Sequence, residues 1–154
     1  MKVTDYLSKQ NVAYELVPHT ETHDAQRLAA TIHVPGREVA KTVLLKKSGG
    51  NAYVVAVLPA NKAVDIEQAS RVAGDCVLEM ASEAEIAQQC PDCELGALPP
   101  FGSQYRMKTI VDENLSKDEE IVFEGNTHHE AIRMKFDEFC NIEQPTIGRF
   151  TVDL

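Results

Sequence analysis

The chain has 154 residues, 44% of them hydrophobic and 25% charged, with a formal net charge of −9 at pH 7. That length suits one domain over 1–154 with a usable core. No stretch reaches the roughly 18 apolar residues that a membrane helix needs. The acidic balance argues against a protein that holds nucleic acid by general electrostatic attraction, while leaving room for a local basic contact. The opening Met1-Lys2-Val3-Thr4-Asp5-Tyr6 has no apolar segment of the secretory kind. The expected location is therefore the cytoplasm, with no membrane partner.

Val3, Tyr6 and Leu7 fall at helical spacing and predict a short helix over 2–10. Val12 to Val17 reads as a strand stopped by Pro18. Thr22 stands where it can cap a helix with Ala25, Leu28, Ala29 and Ile32 on one face, and Pro35-Gly36 ends that helix. Val39 to Lys47 and Ala52 to Leu58 read as two strands joined by Ser48-Gly49-Gly50-Asn51, a hairpin signal. A helix over 65–72 stops near Gly74, and a short strand follows over 76–80. Ser82 with Glu85 three residues later is a capping box, opening a helix that runs to about Gln89. Strands over 107–111 and 120–124 flank a turn or short helix at 112–117. Ile132, Met134 and Phe136 alternate with Arg133 and Lys135, the pattern of a half-buried strand. Asp137 is placed to cap a last helix near 138–141, and Pro145 and Gly148 break up the tail. Helices and strands mix without regular βαβ alternation, so the class is α+β (mixed α/β).

Three segments carry candidate chemistry. Gly96-Ala97-Leu98-Pro99-Pro100-Phe101-Gly102 brackets two prolines with two glycines, so its backbone is both unusual and stiff. Such a loop is either a chain-reversing turn or a frame that turns its N–H groups toward a ligand. Lys41 opens the strand 39–47, where alternation puts it with Val39, Val43 and Leu45. If that face is inward, a buried lysine demands an anionic or carbonyl partner; if the other is inward, Lys41 is an ordinary surface residue. Gly125-Asn126-Thr127-His128-His129 holds adjacent histidines, of which at most one faces a pocket if they lie in a strand. Histidine is the usual general base near neutral pH, and His129 is preferred here, with Asn126 and Thr127 as polar contacts.

Other chemistries find less support. Cys90-Pro91-Asp92-Cys93 is a C-x-x-C without a second one, and it follows a helix instead of opening one, so neither a four-cysteine zinc site nor a thioredoxin motif fits. In a cytosolic chain these thiols are expected to be reduced and incidental, and no metal or cofactor is expected; a thiol or metal protein using Cys90 and Cys93 is the minor alternative. There is no G-x-S-x-G elbow or P-loop. Tryptophan is absent and aromatics make up 6%, too few for a base-stacking RNA surface.

The lysine strand, the Gly/Pro loop and the closing Gly-Asn-Thr-His-His segment occur in an order and spacing that resembles the YbaK/prolyl-tRNA-synthetase-associated family over roughly 1–142. The resemblance implies a mixed sheet curled toward a barrel with helices packed around it, leaving the tail 143–154 unassigned. It implies a trans-editing deacylase that hydrolyses the ester of a mischarged tRNA bearing a small amino acid such as alanine, serine or cysteine. On that likeness Lys41 is the active-site lysine, engaging the acyl carbonyl or the terminal phosphate. The Gly96 loop, with Ala97, Leu98, Pro100, Phe101 and Gly102, holds the substrate, the Ala97 and Leu98 N–H groups forming an oxyanion hole. One subgroup of the family carries a histidine at the place of His129. The partners implied are the 3′ end of a mischarged tRNA, with proline-specific tRNA suggested, and an aminoacyl-tRNA synthetase. The rival reading is a non-catalytic module of the same fold that binds a nucleotide or a tRNA end.

Overall fold

The structure, a computed structural model, describes residues 1–22, 25–94 and 96–154. In chain order it runs α1 (Val3–Lys9), β1 (Glu15–Pro18), α2 (Ala25–Thr31), β2 (Ala40–Lys47), β3 (Tyr53–Pro59), β4 (Lys62–Val64), α3 (Ile66–Val72), β5 (Leu78–Met80), α4 (Glu83–Gln89), β6 (Lys108–Asp112), β7 (Glu120–Glu124), β8 (Glu130–Lys135), α5 (Phe136–Glu143), β9 (Thr146–Gly148) and β10 (Thr151–Asp153). The class is α+β, as the mixed order of elements predicts. The helix start expected after Thr22 passes through positions 23 and 24, which lie outside the described residues.

The strands form three sheets. The largest has the order β5-β2-β3-β6-β9, a second the order β1-β8-β7, and β10 pairs with β4. β3 lies parallel to β6 and β6 to β9, whereas β2 runs antiparallel to both β3 and β5. A parallel bridge between Val39 and Val122 ties the large sheet to the second one. Among the described residues the sheets do not close into a barrel.

Burial explains the pattern. β3 is covered on both faces, which is why Val54-Val55-Ala56-Val57-Leu58 is continuously apolar instead of alternating. Val55 and Val57 join Ala40, Leu44 and Val111 in one cluster with Phe101, Phe123, Phe136 and Phe139. Val54, Ala56 and Leu58 face the opposite cluster, with Leu45, Ile110 and Phe150. A third cluster seats Leu28 and Ala29 of α2 on Val39, Ala60, Val122 and Ala131.

The capping box is present in full: Glu85 N donates to Ser82 Oγ at 3.2 Å and Ser82 N donates to Glu85 Oε1 at 3.0 Å. That backbone donor, with Lys46 and Tyr53, holds the half-buried Glu85 carboxyl down at about 2. Two boundaries shift. Phe136 starts α5 instead of ending the strand, because its ring turns into the aromatic cluster 6.0 Å from Phe139 and its N–H bonds Glu119 O at 3.0 Å. The residue before the helix is then Lys135, and Asp137 lies in the first turn instead of capping it. Cys90 and Cys93, expected as separate thiols, are joined by a disulfide: the turn after α4 brings their Cα atoms to 5.6 Å.

The tail is part of the sheets. β9 extends the large sheet beside β6, and β10 pairs with β4. Phe150 lies between them, fully buried, with its N–H donating to Asp112 Oδ1 at 3.1 Å and its carbonyl accepting from Asp65 N at 2.7 Å. Replacing Phe150 with alanine is expected to cost about 3–5 kcal/mol, and Val152→Ala, at an exposed position, less than about 0.5 kcal/mol; urea unfolding of both variants checks this. Glu143 offers a second test. Burial pushes its carboxyl above the usual range despite hydrogen bonds from Ser103 and Thr109. An acid raised in the folded state takes stability away as pH climbs through its folded pKa. The stability of Glu143→Gln relative to wild type should therefore rise as pH increases from the ordinary carboxylate range, read by denaturation at a series of pH values.

Candidate functional site

A cavity of about 200 Å³ opens where the start of β2, the Gly96 loop, α2 and the end of β7 meet. Its walls are Ala25, Leu28, Ala40, Lys41, Thr42, Gly96, Leu98 and Glu124. Lys41 is half-buried and is the second residue of β2. It also borders a second opening with Ala25, Gln26 and Ala60, which places it at the mouth of the cavity.

The Gly96 loop is held from both ends. On its entry side Glu94 N donates to Asn126 O at 2.7 Å, Ala97 N to Glu94 O at 3.0 Å, and Asn126 Nδ2 to Cys93 Sγ at 3.2 Å. On its exit side Phe101 is wholly buried, with ring centroids 5.7 Å from Tyr6, 5.6 Å from Phe123 and 5.2 Å from Phe139. Gly102 follows in a space where a Cβ would meet Thr109 Oγ1 at 2.5 Å and Met107 O at 2.8 Å, so only glycine fits. Its N–H donates to Thr109 Oγ1 at 2.9 Å, which in turn donates to Glu143 Oε1 at 3.2 Å. Gly96 itself has φ +85°, a conformation that side-chain-bearing residues adopt only with strain.

The loop residues thus divide. Gly96 and Leu98 reach the cavity. Phe101 and Gly102, expected to hold substrate, instead lock the loop to the core. Ala97 and Pro100 are buried and do not line the cavity, and the Ala97 N–H is spent on Glu94 O. Among the described residues the N–H groups of Gly96 and Leu98 have no protein acceptor, which moves the candidate oxyanion donors to these two.

The adjacent histidines point opposite ways. His129 is 60% exposed and sits 3.8 Å from Glu21 and 3.9 Å from Glu94, outside the cavity. His128 is the inward one, 3% exposed, with Nδ1 2.7 Å from Glu124 Oε2. Its ring lies beneath Gly96, so that a Cβ there would touch His128 Cε1 at 3.5 Å. Asn126 is buried at φ +72° and accepts from Val3 N at 2.9 Å, so it shapes the β7–β8 turn and does not face substrate. Thr127 Oγ1 accepts from His129 N at 3.3 Å, again within that turn.

Glu124 is the residue that sequence reading passed over. It ends β7 after three buried apolar residues, and its side chain is 10% exposed. The available signal was its place four residues before His128, across a turn containing glycine. Two groups of metal-ligating type converge elsewhere: Cys90, Asp92 and Cys93, and the exposed Glu21, Glu94 and His129. Neither includes a cavity residue.

Relatives share this arrangement of elements. The multifunctional Ser/Thr-tRNA deacylase ProXp-y of Escherichia coli K12 is 25% identical over 147 residues, which is 94% of this chain and 87% of that protein. The crystal structure of hypothetical protein APE2540 matches with a TM-score of 0.88 at 17% identity, over 97% of this chain and 99% of that one. A candidate trans-editing enzyme for prolyl tRNA synthetase matches at 0.85 and 18% identity, over 97% and 94%. These two structures show a common fold. The aminoacyl-tRNA editing domain matches residues 19–142, and the chain belongs to that family.

Proposed function

We propose that this protein is a trans-acting deacylase that hydrolyses the ester between a small amino acid and the 3′ adenosine of a mischarged tRNA. The observation that carries the reading is the convergence of Lys41 with Gly96 and Leu98 on one small cavity. An ester is already activated, so positioning a water and stabilising the oxyanion suffice to accelerate its hydrolysis. The water attacks the acyl carbon and the carbonyl oxygen takes the electron pair. The Gly96 and Leu98 N–H groups receive that charge, and collapse of the intermediate breaks the bond to the ribose oxygen, which takes up the proton given off by the attacking water, so that the free amino acid and the ribose hydroxyl are released. Lys41 at the mouth is placed for the terminal phosphate or the acyl oxygen.

Substrate size follows from the walls. Leu28, Leu98, Ala25 and Ala40 bound the cavity with apolar surface, and Thr42 adds a hydroxyl. Alanine, serine and cysteine are the size class proposed, with threonine added because an E. coli relative bears a Ser/Thr-tRNA deacylase name. Such side chains are the ones that synthetase pockets separate poorly, which is where editing is needed. A net charge of −9 disfavours broad electrostatic contact with the tRNA, so the contact proposed is with its 3′ end, and the place of work proposed is the cytoplasm, alongside the synthetases.

Deacylation of tRNA charged with alanine, serine, threonine or cysteine, followed at limiting enzyme, tests this reading. Wild type should clear at least one of these esters well above the buffer rate. Lys41→Ala should lower kcat/KM on the order of 100-fold with an unchanged melting temperature. No turnover of any ester by wild type would reject the deacylase reading in favour of a binding module. Gly96→Ala should also lose about 10²-fold in kcat, because an alanine at φ +85° displaces the donor N–H groups; Leu98→Val, which keeps the backbone, should lose far less.

A further inference from the structure

Given that the cavity takes an aminoacyl end, we propose that the Glu124 carboxylate is the docking group for the substrate's α-ammonium, so that the site selects esters with a free amino group over N-acylated ones. The cavity wall holds one cation and one anion among the described residues, Lys41 and Glu124. An aminoacyl-tRNA end is itself dipolar: the α-amino group is cationic and the terminal phosphate anionic. Lys41 repels the ammonium and suits the phosphate or carbonyl, and Thr42 is neutral. Glu124 is left as the charge complement of the amine.

Its setting supports the role. A carboxylate that is 90% buried is costly unless it meets a cation or good donors. His128 Nδ1 approaches Oε2 to 2.7 Å from the far side of the β7–β8 turn, beneath Gly96. The carboxylate therefore borders the cavity with the imidazole packed behind it. The same loop glycine proposed to offer an N–H to the ester packs on that histidine, so amine and carbonyl would be read by adjoining parts of one framework. Masking the amine with an acyl group removes the charge and adds bulk against Glu124. The predicted specificity is therefore against peptidyl-tRNA and formylated aminoacyl-tRNA, which the site should spare.

The test pairs two ligands that differ only at the amine: 3′-(L-seryl)amino-3′-deoxyadenosine and its N-acetyl derivative, both amides that are not turned over. Calorimetric titration of wild type should favour the free amine by at least about 10-fold, and in Glu124→Gln that ratio should fall toward one. Seryl-tRNA and N-acetyl-seryl-tRNA should show the same change of preference in kcat/KM. Equal affinity of wild type for the two amides, or binding of neither, overturns the proposal without any variant. Equal weakening of both ligands in Glu124→Gln, with the ratio kept, gives Glu124 a structural role and also overturns it. Preference for the free amine without hydrolysis of any ester upholds the ammonium contact and rejects the deacylase reading. Hydrolysis without preference does the reverse.

Discussion

The buried ring of Phe101 is the fixture on which the site depends, because it converts a glycine- and proline-rich segment into a rigid frame. A loop with two adjacent prolines can make few backbone hydrogen bonds of its own, so its position must come from side chains and from neighbours. Phe101 inserts among Tyr6, Phe123 and Phe139. Gly102 then lies against Thr109 so closely that its N–H enters the Thr109–Glu143 chain. Glu143 ends α5 and also accepts from Ser103 N and Ser103 Oγ. Burying that carboxyl has a cost, visible as its raised pKa, and the gain is a loop tied to the C-terminal helix across some forty residues of sequence. The other end is tied as tightly, through Glu94 N to Asn126 O and the Cys90–Cys93 bridge.

Rigidity at both ends is what lets Gly96 keep a left-handed backbone beside His128. In the proposed deacylase such rigidity matters, because preorganised donors stabilise developing charge without reorganising at the moment of reaction. The β7–β8 turn supports the arrangement from below: Asn126, buried and at positive φ, anchors the start of α1 through Val3 N while its carbonyl holds Glu94. One buried asparagine thus joins the N-terminal helix, the Gly96 loop and the hairpin that carries Glu124 and His128. Charge is used sparingly here. The cavity has mostly apolar walls with opposite charges set within them, and electrostatic interactions gain strength in such partly desolvated surroundings.

Much of the fold was legible from periodicity and punctuation. The β2–β3 hairpin, the capping box at Ser82 and the alternating strand ending at Lys135 are local patterns, and local patterns survive folding when packing agrees with them. Phe136 shows the limit. It continues the strand alternation by sequence, yet the aromatic cluster claims its ring and α5 begins there. The tail shows another: Ile147, Phe150 and Val152 were recognisably apolar, but only the free edges of β6 and β4 decide where such residues go. The Cys90–Cys93 pairing likewise required knowing how the chain turns after α4.

The site divides along the same line. The residues alone singled out Lys41, the Gly96–Gly102 loop and the 125–129 segment as candidates, because lysine in an apolar strand, paired prolines between glycines and adjacent histidines are each costly or rare in ordinary scaffolding. By sequence at most one of the adjacent histidines faces a pocket, and an exposed loop holding both was equally open; the fold places the pair in the turn between β7 and β8. Which one faces inward, and what it touches, was decided by tertiary structure alone. The turn at Asn126 rotates His128 beneath Gly96 and onto Glu124 and leaves His129 in solvent. Phe101 and Gly102 look like ligand contacts in the sequence and serve as anchors in the fold, because the core had an aromatic gap to fill and Thr109 stood too close for any side chain. Sequence specifies which groups are present and their local geometry; the direction in which each faces is set by contacts far apart in the chain, and no local pattern encodes them.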